Sequence, residues 1–368
     1  MSKTDDFYDV QKDHSRVKSE IVQEYFSIWL SILKHYRSKR ITYLDLFSGS
    51  GRYKDGSRST PLLIFDSIVK HPDTHSRLAT RFYEKKTSLA TVLRSELECH
   101  PVHRELAIAP IVVTTELTSR NLLEIEVDDC TFSFVDPFGY KPITIESISY
   151  FTSKWGSDCI FYLSVEGIWR NLKHESQKPA LVALFGETGY EQLKSHHEQS
   201  KTRGFSDLVK DLLRVELTRQ RAGTPNYFVY LGMEKDIRHP ISHFLCGVTK
   251  HPTGFKRLLD VFYNHSQKDA DDMPLWVWEG VQGYQLDLKL DPEMIRLADR
   301  IRGEFRSQPI SVKDLVEVAH KNGYLYVKKN IKRALVHLWK SGFLSFRKKP
   351  KSKGIRTLFA DKQEVMIR

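Results

Sequence analysis

No two cysteines in this chain stand at CxxC spacing: Cys99, Cys130, Cys159 and Cys246 are isolated from one another. That excludes a zinc knuckle and a disulfide framework, and small buried residues are expected at all four positions. No apolar run reaches bilayer-spanning length, and Met1 to Val10 carry no signal-peptide pattern. The expectation is a cytoplasmic protein without a membrane partner. Internal repeats and low-complexity tracts are also missing. Metal-ligand spacing is absent as well: His239 and His243 are four apart, but Pro240 follows the first and no acid occupies the zinc-protease place. Both read as surface or core residues.

The chain does have length and an uneven charge. Its 368 residues, 40% hydrophobic and 28% charged, suit a soluble globular protein of two domains. From Asp291 to Arg368 there are 19 Lys and Arg against eight Asp and Glu, a net of +11 that equals the formal charge of the whole chain. A neutral body with a basic terminal module is an electrostatic footprint for nucleic acid, with a solvated surface as the plainer account.

The body is organised around Ile41 to Gly51, ITYLDLFSGSG: an apolar strand closed by Asp45, then a glycine turn containing Phe47, Gly49 and Gly51. Such a turn lets backbone approach a ligand at the strand's C-terminal edge, although packing alone could also require the glycines. Before it, Val17, Ile21, Tyr25, Ile28, Trp29, Ile32 and Leu33 recur at helical spacing within Arg16 to Tyr36. After it come a polar loop, RYKDGSRST, and a helix over Leu62 to Val69 with Pro61 in its first turn and Ser59 or Thr60 as cap.

Further strands are predicted over 78–84, 111–115, 131–135 and 158–165, with Lys85 opening a helix through Leu97. Residues 168–222 read as an inserted helical layer broken near Gly186 to Gly189. Asn226 to Met233 and Ile241 to Thr249 then form a candidate hairpin, followed by a helix over 252–264. The fold class is therefore α/β, a doubly wound, mostly parallel sheet with an antiparallel last strand pair. This body spans 1–290. Beyond it, 291–368 shows helical patterns over 292–305, 312–321 and 327–340, and then FLSFRKKPKSKGIRTLFA, two β-prone runs around a basic turn. That order resembles a small winged-helix domain.

Three acids end parallel strands and so share one sheet edge: Asp45, Glu84 and Asp136. Glu84 could accept bonds from two ribose hydroxyls, and Asp45 could orient an amino group; a helix-start acid and a turn residue are the plainer alternatives. In FSFVDPFGYK, Asp136 could hold an exocyclic amine, Pro137 stiffens the turn and Phe138 offers a stacking face, the pattern of amino-methyltransferases with one proline fewer. An ordinary strand-end turn is the plainer account of that stretch. Glu116 is a candidate contact for a cofactor base. Arg52, Lys54 and Arg58 could bind phosphate or a carboxylate. On the terminal module, Lys328, Lys329, Lys332 and Arg333 open the third helix, and Arg347, Lys348, Lys349, Lys351, Lys353 and Arg356 lie on the hairpin, placed to meet phosphates of DNA or RNA.

YLDLFSGSGRYKDGSRSTPLL, RFYEKK, FVDPFGYK and GVTKHPTGFKRLLDVFY, in this order, resemble the three-Cys-motif partner family (TcmP), bacterial proteins with a sheet like that of class I S-adenosylmethionine methyltransferases. The likeness covers Arg16 to about Asn264. It implies S-adenosylmethionine as cofactor, held by Asp45, Gly49, Gly51 and Glu84, a catalytic-loop position at Asp136 to Gly139, and a partner protein of the radical-S-adenosylmethionine-like kind. From Gly51 to Glu84 the spacing exceeds the roughly 20 residues usual for a dinucleotide fold, so an extended loop is expected. Two readings follow: a nucleic-acid methyltransferase, or a non-catalytic nucleic-acid-binding subunit that recruits a catalytic partner. A nicotinamide oxidoreductase is the least favoured, because the reversed strand pair and the DPFG loop do not suit it.

Overall fold

A computed structural model of the protein describes residues 11, 13–36, 39–137, 139–199, 204–219, 226–233, 241–269, 272–278, 293–347 and 359–368. The chain divides into two compact units, Met1–His265 with Trp278–Gly280, and Ser266–Val277 with Val281–Arg368.

In the first unit, helix α1 (Asp13–Leu33) precedes strand β1 (Ile41–Asp45), all five residues of which are buried. The chain continues through α2 (Thr60–Val69), β2 (Leu78–Glu84), α3 (Thr87–Cys99), β3 (Ile111–Thr114), β4 (Cys130–Val135), α4 (Ile145–Phe151), β5 (Asp158–Ser164), α5 (Val165–Asn171), α6 (Lys178–Glu198), α7 (Phe205–Thr218), β6 (Tyr227–Met233), β7 (His243–Thr249) and α8 (Pro252–His265). The sheet order is β3-β2-β1-β4-β5-β7-β6, and the two-residue β8 (Val277–Trp278) falls at the boundary between the two units in the chain. Strands β1 to β5 pair in parallel, and β7 is antiparallel to both β5 and β6. The order reverses between β1 and β4, where an open α/β sheet leaves a crevice at its carboxyl edge.

The apolar stripe of α1 lies on this sheet: Tyr25, Phe26 and Trp29 meet Tyr43 and Phe132 with ring centroids 5.1 to 5.9 Å apart. At the other edge Tyr25 donates to Asp158 Oδ2 at 2.6 Å, which ties α1 to the start of β5. Burial pushes the Asp158 carboxyl up to about 6, against the opposing bonds from Thr249 and Tyr25. The helical layer is present as α5 to α7, and its expected break falls at Gly186, whose φ of 68° and ψ of 169° are open to glycine.

Close packing of α8 on β7 requires glycine at 247, where an added Cβ would come within 2.5 Å of Leu258 Cδ2. Gly247→Ala is therefore expected to cost about 1–3 kcal/mol in urea unfolding, as overpacked cores do. An unchanged midpoint would mean that the Leu258 side chain turns aside freely.

The second unit runs α9 (Glu293–Glu304), β9 (Pro309–Ser311), α10 (Val312–Lys321), α11 (Lys328–Lys340), β10 (Leu344–Phe346) and β11 (Glu364–Ile367). Its antiparallel sheet has the order β10-β11-β9, and Leu297, Ile301, Leu315, Ile331, Leu335 and Val365 are among its core residues. Two details differ from expectation. The strand paired with β10 is Glu364–Ile367, which the sequence pattern does not mark and which alternates its burial as a paired strand must; of the expected second run, residues 355–358 lie outside the described residues. The short strand β9 is not evident from PIS, whose proline hides a three-residue edge strand. Residues 279–292 and the 234–240 connection lie outside the described residues.

Cys130, Cys159 and Cys246 are buried as expected, whereas Cys99 is exposed because it ends α3 on the helix's outer side. No helix among the described residues is long and apolar enough to cross a membrane.

Candidate functional site

At the carboxyl ends of β1 and β4 lies a cleft of about 300 Å³. Asp45, Phe47, Ser48, Gly49 and Ser50 line it from β1 and its turn, and Asp136, Pro137 and Gly139 from the loop after β4. His14, Ser15, Lys18 and Ser19 come from α1, Arg52, Tyr53, Ser59 and Thr60 from the loop and start of α2, Tyr162 and His243 from β5 and β7, and Ser242 from just before β7. A larger, shallow groove of about 660 Å³ runs along α6 and α7 past Glu187, Glu191 and His196, but no strand end faces it. The chemistry-bearing groups converge on the first.

Asp45 is fully buried, and burial pushes its carboxyl from the usual range up to about 7, with the charge of Asp136 adding to the rise. Opposing bonds come from the Phe47 backbone N–H, 3.3 Å from Oδ1, and the Tyr43 hydroxyl, 3.3 Å from Oδ2. Asp136 is held by Lys18, whose ammonium pairs with Oδ2 and also stands 4.5 Å from the centroid of the Tyr162 ring. Tyr162 in turn stacks on His243 at 4.8 Å and an interplanar angle of 4°. Burial, with the Asp136 charge behind it, raises the Tyr162 phenol well beyond its ordinary value, so the ring acts as a neutral platform.

Four expected cofactor residues take distinct places. Gly49 sits in the cleft wall at φ 66°, a conformation suited to glycine. Gly51, at φ 81°, serves packing: a Cβ there would lie 2.9 Å from Leu93 Cδ1. Glu84 is not among the lining residues; its Oε2 accepts the Gly49 N–H at 3.0 Å and its Oε1 the Lys86 N–H at 2.8 Å. The second strand's acid thus clamps the glycine turn of the first. Glu116 is exposed and paired with Lys85 at 2.5 Å, away from the cleft.

The expected phosphate-binding arginines of the loop are engaged within the unit. Arg52 grips Glu96 of α3 through Nε at 2.9 Å and Nη2 at 2.8 Å, with Nη1 on the Gly56 carbonyl. This bond to Arg52 holds the Glu96 carboxyl below its ordinary value. Arg58 is bonded to Asp66 of α2. Together with the Ser59 N–H on the Gly51 carbonyl at 2.8 Å, they fold 52–59 into a pinned small loop, the extension that the long spacing to Glu84 requires. Lys54 is exposed on that loop. Ser59 is the helix cap by position, but its Oγ is buried and accepts no cap bond.

In the second unit, Lys328 and Lys332 lie 2.5 and 3.7 Å from Asp361, Lys329 and Arg333 lie 3.1 and 3.5 Å from Asp272, and Arg347 is 3.2 Å from Glu364. Phe138, Lys348, Lys349, Lys351, Lys353 and Arg356 lie outside the described residues. Among the described residues, no group of three or more His, Cys, Asp or Glu side chains could hold a metal ion.

Lys18, Tyr162 and His243 belong to the cleft without having stood out in the sequence. For Lys18 a signal existed: it shares the buried stripe of α1 with Val22, Tyr25 and Trp29 at helical spacing, and a charge there requires a partner. His243 reads from sequence as surface or core because no spacing rule links it to a tyrosine on the neighbouring strand.

No family model matches the chain, and no curated protein does. Among solved structures, protein LPL1258 from Legionella pneumophila is 12% identical over 66% of this chain and 89% of its own, with a TM-score of 0.39. A type I restriction-modification methyltransferase subunit from Streptococcus thermophilus is 11% identical over 63% and 44%, with a TM-score of 0.34. The plantazolicin methyltransferase BpumL, solved with SAH, is 10% identical over 65% and 87%, with a TM-score of 0.32. The fold itself is legible from the sheet: the order 3-2-1-4-5-7-6 with β7 reversed is the class I methyltransferase-like α/β arrangement.

Proposed function

We propose that the first unit binds S-adenosylmethionine in the cleft at the ends of β1 and β4, and that the chain is a methyltransferase-like protein acting on nucleic acid. The observation that carries this is the convergence of Asp45, the Gly49 turn and Asp136 on one cleft at the switch point of a methyltransferase-type sheet. The residues fit such a ligand: Asp45 offers an anion to an amino group, and the buried Ser59 Oγ has no partner. S-adenosylmethionine, when bound, supplies a methyl group on a sulfonium. The chain's part is alignment: Asp45 orients the donor, Asp136 holds the acceptor amine, and Tyr162 and Pro137 shape a partly dry wall.

A second reading is a binding subunit of the three-Cys-motif partner type, working with a radical-S-adenosylmethionine-like protein. The arrest of Asp136 by Lys18 and of Glu84 by the glycine turn favours it, since both acids are already engaged. Both readings give the second unit, with its helix-strand-helix-helix-strand-strand order, the role of a winged helix on nucleic acid. Its paired surface cations can exchange partners, because exposed ion pairs are worth little.

Two measurements test this on the full chain. Calorimetry with S-adenosylhomocysteine should give a single site per chain, and the absence of heat and of thermal protection would defeat the cofactor reading. Filter binding of duplex and single-stranded 30-mer oligonucleotides over a salt series should show a slope that shrinks by about one to two when Lys328 and Lys329 become Ala. An unchanged slope would assign that unit to protein contacts.

A further inference from the structure

The four cations that open α11 are met by two carboxylates of their own unit. Asp361, whose carbonyl accepts the Lys313 N–H at 3.0 Å, stands at Lys328 and Lys332, and Asp272 stands at Lys329 and Arg333. Lys329 and Arg333 are one turn apart and exposed, at the end of the helix that a recognition helix brings to the groove.

Exposed ion pairs hold little by themselves. Asp272 is fixed by its backbone instead. It lies in the segment 266–277, which follows α8 and belongs to the second unit. Its neighbour Met273 is fully buried in that unit's core. The Met273 N–H donates to Asp269 Oδ1 at 2.9 Å, and the Asp272 N–H donates to the Asp269 carbonyl at 3.0 Å. Asn330, buried in the first turn of α11, donates through Nδ2 to the Asp272 carbonyl at 3.0 Å. Asp272 itself takes φ 58°, the left-handed region that Asp and Asn enter more readily than other side chains. These anchors set its carboxylate 3.1 Å from Lys329 Nζ and 3.5 Å from Arg333 Nη1. Packing accounts for Met273 and hydrogen bonding for the turn, but neither needs a charge at 272, whose side chain is 39% exposed.

We infer that the 266–277 segment is a built-in competitor of nucleic acid: Asp272 occupies, on Lys329 and Arg333, the place of a backbone phosphate, and binding requires a phosphate to displace it. The inference rests on the nucleic-acid reading of this unit given above. An anchored carboxylate is always present beside the two cations, and after they turn to a phosphate it stays close by as a like charge. An isolated anion therefore gains little on this helix. A polymer that brings several phosphates at once displaces Asp272 with the help of its other contacts.

The test is filter binding of the full chain to the duplex and single-stranded oligonucleotides above. Asp272→Asn keeps the left-handed backbone and should bind about five- to tenfold more tightly than wild type, the worth of two exposed pairs and a like charge. Asp272→Gly, which suits the same φ, should repeat the gain, so that the result does not hang on one variant's stability. Asp299→Asn, which removes an exposed charge from α9, should change affinity by less than about twofold. With Lys329 and Arg333 both replaced by Ala, the gain from Asp272→Asn should vanish, because the coupling runs through those two side chains. Binding by the Asp272 variants where wild type shows none is the same result in stronger form. Equal or weaker binding by both Asp272 variants, an equal gain from Asp299→Asn, or a gain that persists without Lys329 and Arg333 overturns the competitor while the nucleic-acid reading stands. Failure of wild type and of both Asp272 variants to bind either oligonucleotide overturns both.

Discussion

Replacing Asp45 by Asn is expected to make the protein more stable and a weaker binder of S-adenosylhomocysteine. Asp45 is buried beside Asp136, and its carboxyl is pushed from 3.8 up to about 7. Proton linkage sets the sign. Between about pH 4 and 7 the folded state binds a proton that the unfolded state has released, so this group's contribution to stability falls as pH rises through that window. Above 7 the loss is complete. A tenfold change in proton affinity corresponds to about 1.4 kcal/mol, so an amide at 45 should stabilise the protein by roughly 2–4 kcal/mol at pH 8. The difference should close to nothing below about pH 4, where wild type is protonated in both states. Asp158, raised to about 6, adds a parallel pH dependence that both proteins share.

The ligand side of the same experiment has the opposite sign. An ammonium needs the ionised carboxylate, so the affinity of wild type for S-adenosylhomocysteine should rise about tenfold per pH unit up to about 7 and then level. Asp45→Asn should show a weak, flat profile. Thermal unfolding across pH and calorimetry at pH 6 and 8 read the two effects separately. A variant less stable than wild type at pH 8 would contradict the buried-charge account of Asp45. Unaltered affinity would remove Asp45 from the site.

Such a trade of stability for an anion in the cleft explains why the core of the fold was legible from sequence and the site only in part. Strand ends such as Asp45, Glu84 and Asp136 are visible as acids that stop apolar runs, and periodicity alone sets the order of β1 to β7. What periodicity leaves open is where a side chain's charge is spent. Arg52 and Arg58 look like phosphate ligands until α3 and α2 bring Glu96 and Asp66 beside them. Lys328, Lys329, Lys332 and Arg333 form a basic run in sequence, yet Asp361 and Asp272 come from far along the chain to meet them. Gly49 and Gly51 are alike in sequence, but only the packing of Leu93 distinguishes a packing glycine from one in the cleft wall. Long-range pairing, which no local pattern encodes, decides each case.

Glu84 is where this matters most. Its two oxygens are each bonded to a backbone N–H, one in the glycine turn and one at the start of α3. A carboxylate has about four lone-pair positions, so two are left over from the clamp, although Glu84 is not among the residues lining the cleft. Glu84→Gln keeps one acceptor and turns an NH₂ toward the other N–H. Hydrogen bonds to a buried charge are worth about 1.5–3 kcal/mol each, so the variant should lose about 2–3 kcal/mol in urea unfolding. Under conditions where it remains folded, its affinity for the nucleoside 5′-methylthioadenosine should also fall about tenfold, because the Gly49 turn that lines the cleft loses an anionic clamp. A destabilised variant with undiminished methylthioadenosine affinity would confine the Glu84 clamp to stability. If the nucleoside affinity falls while stability holds, the clamp is dispensable and the acid at the end of β2 is kept for the ligand.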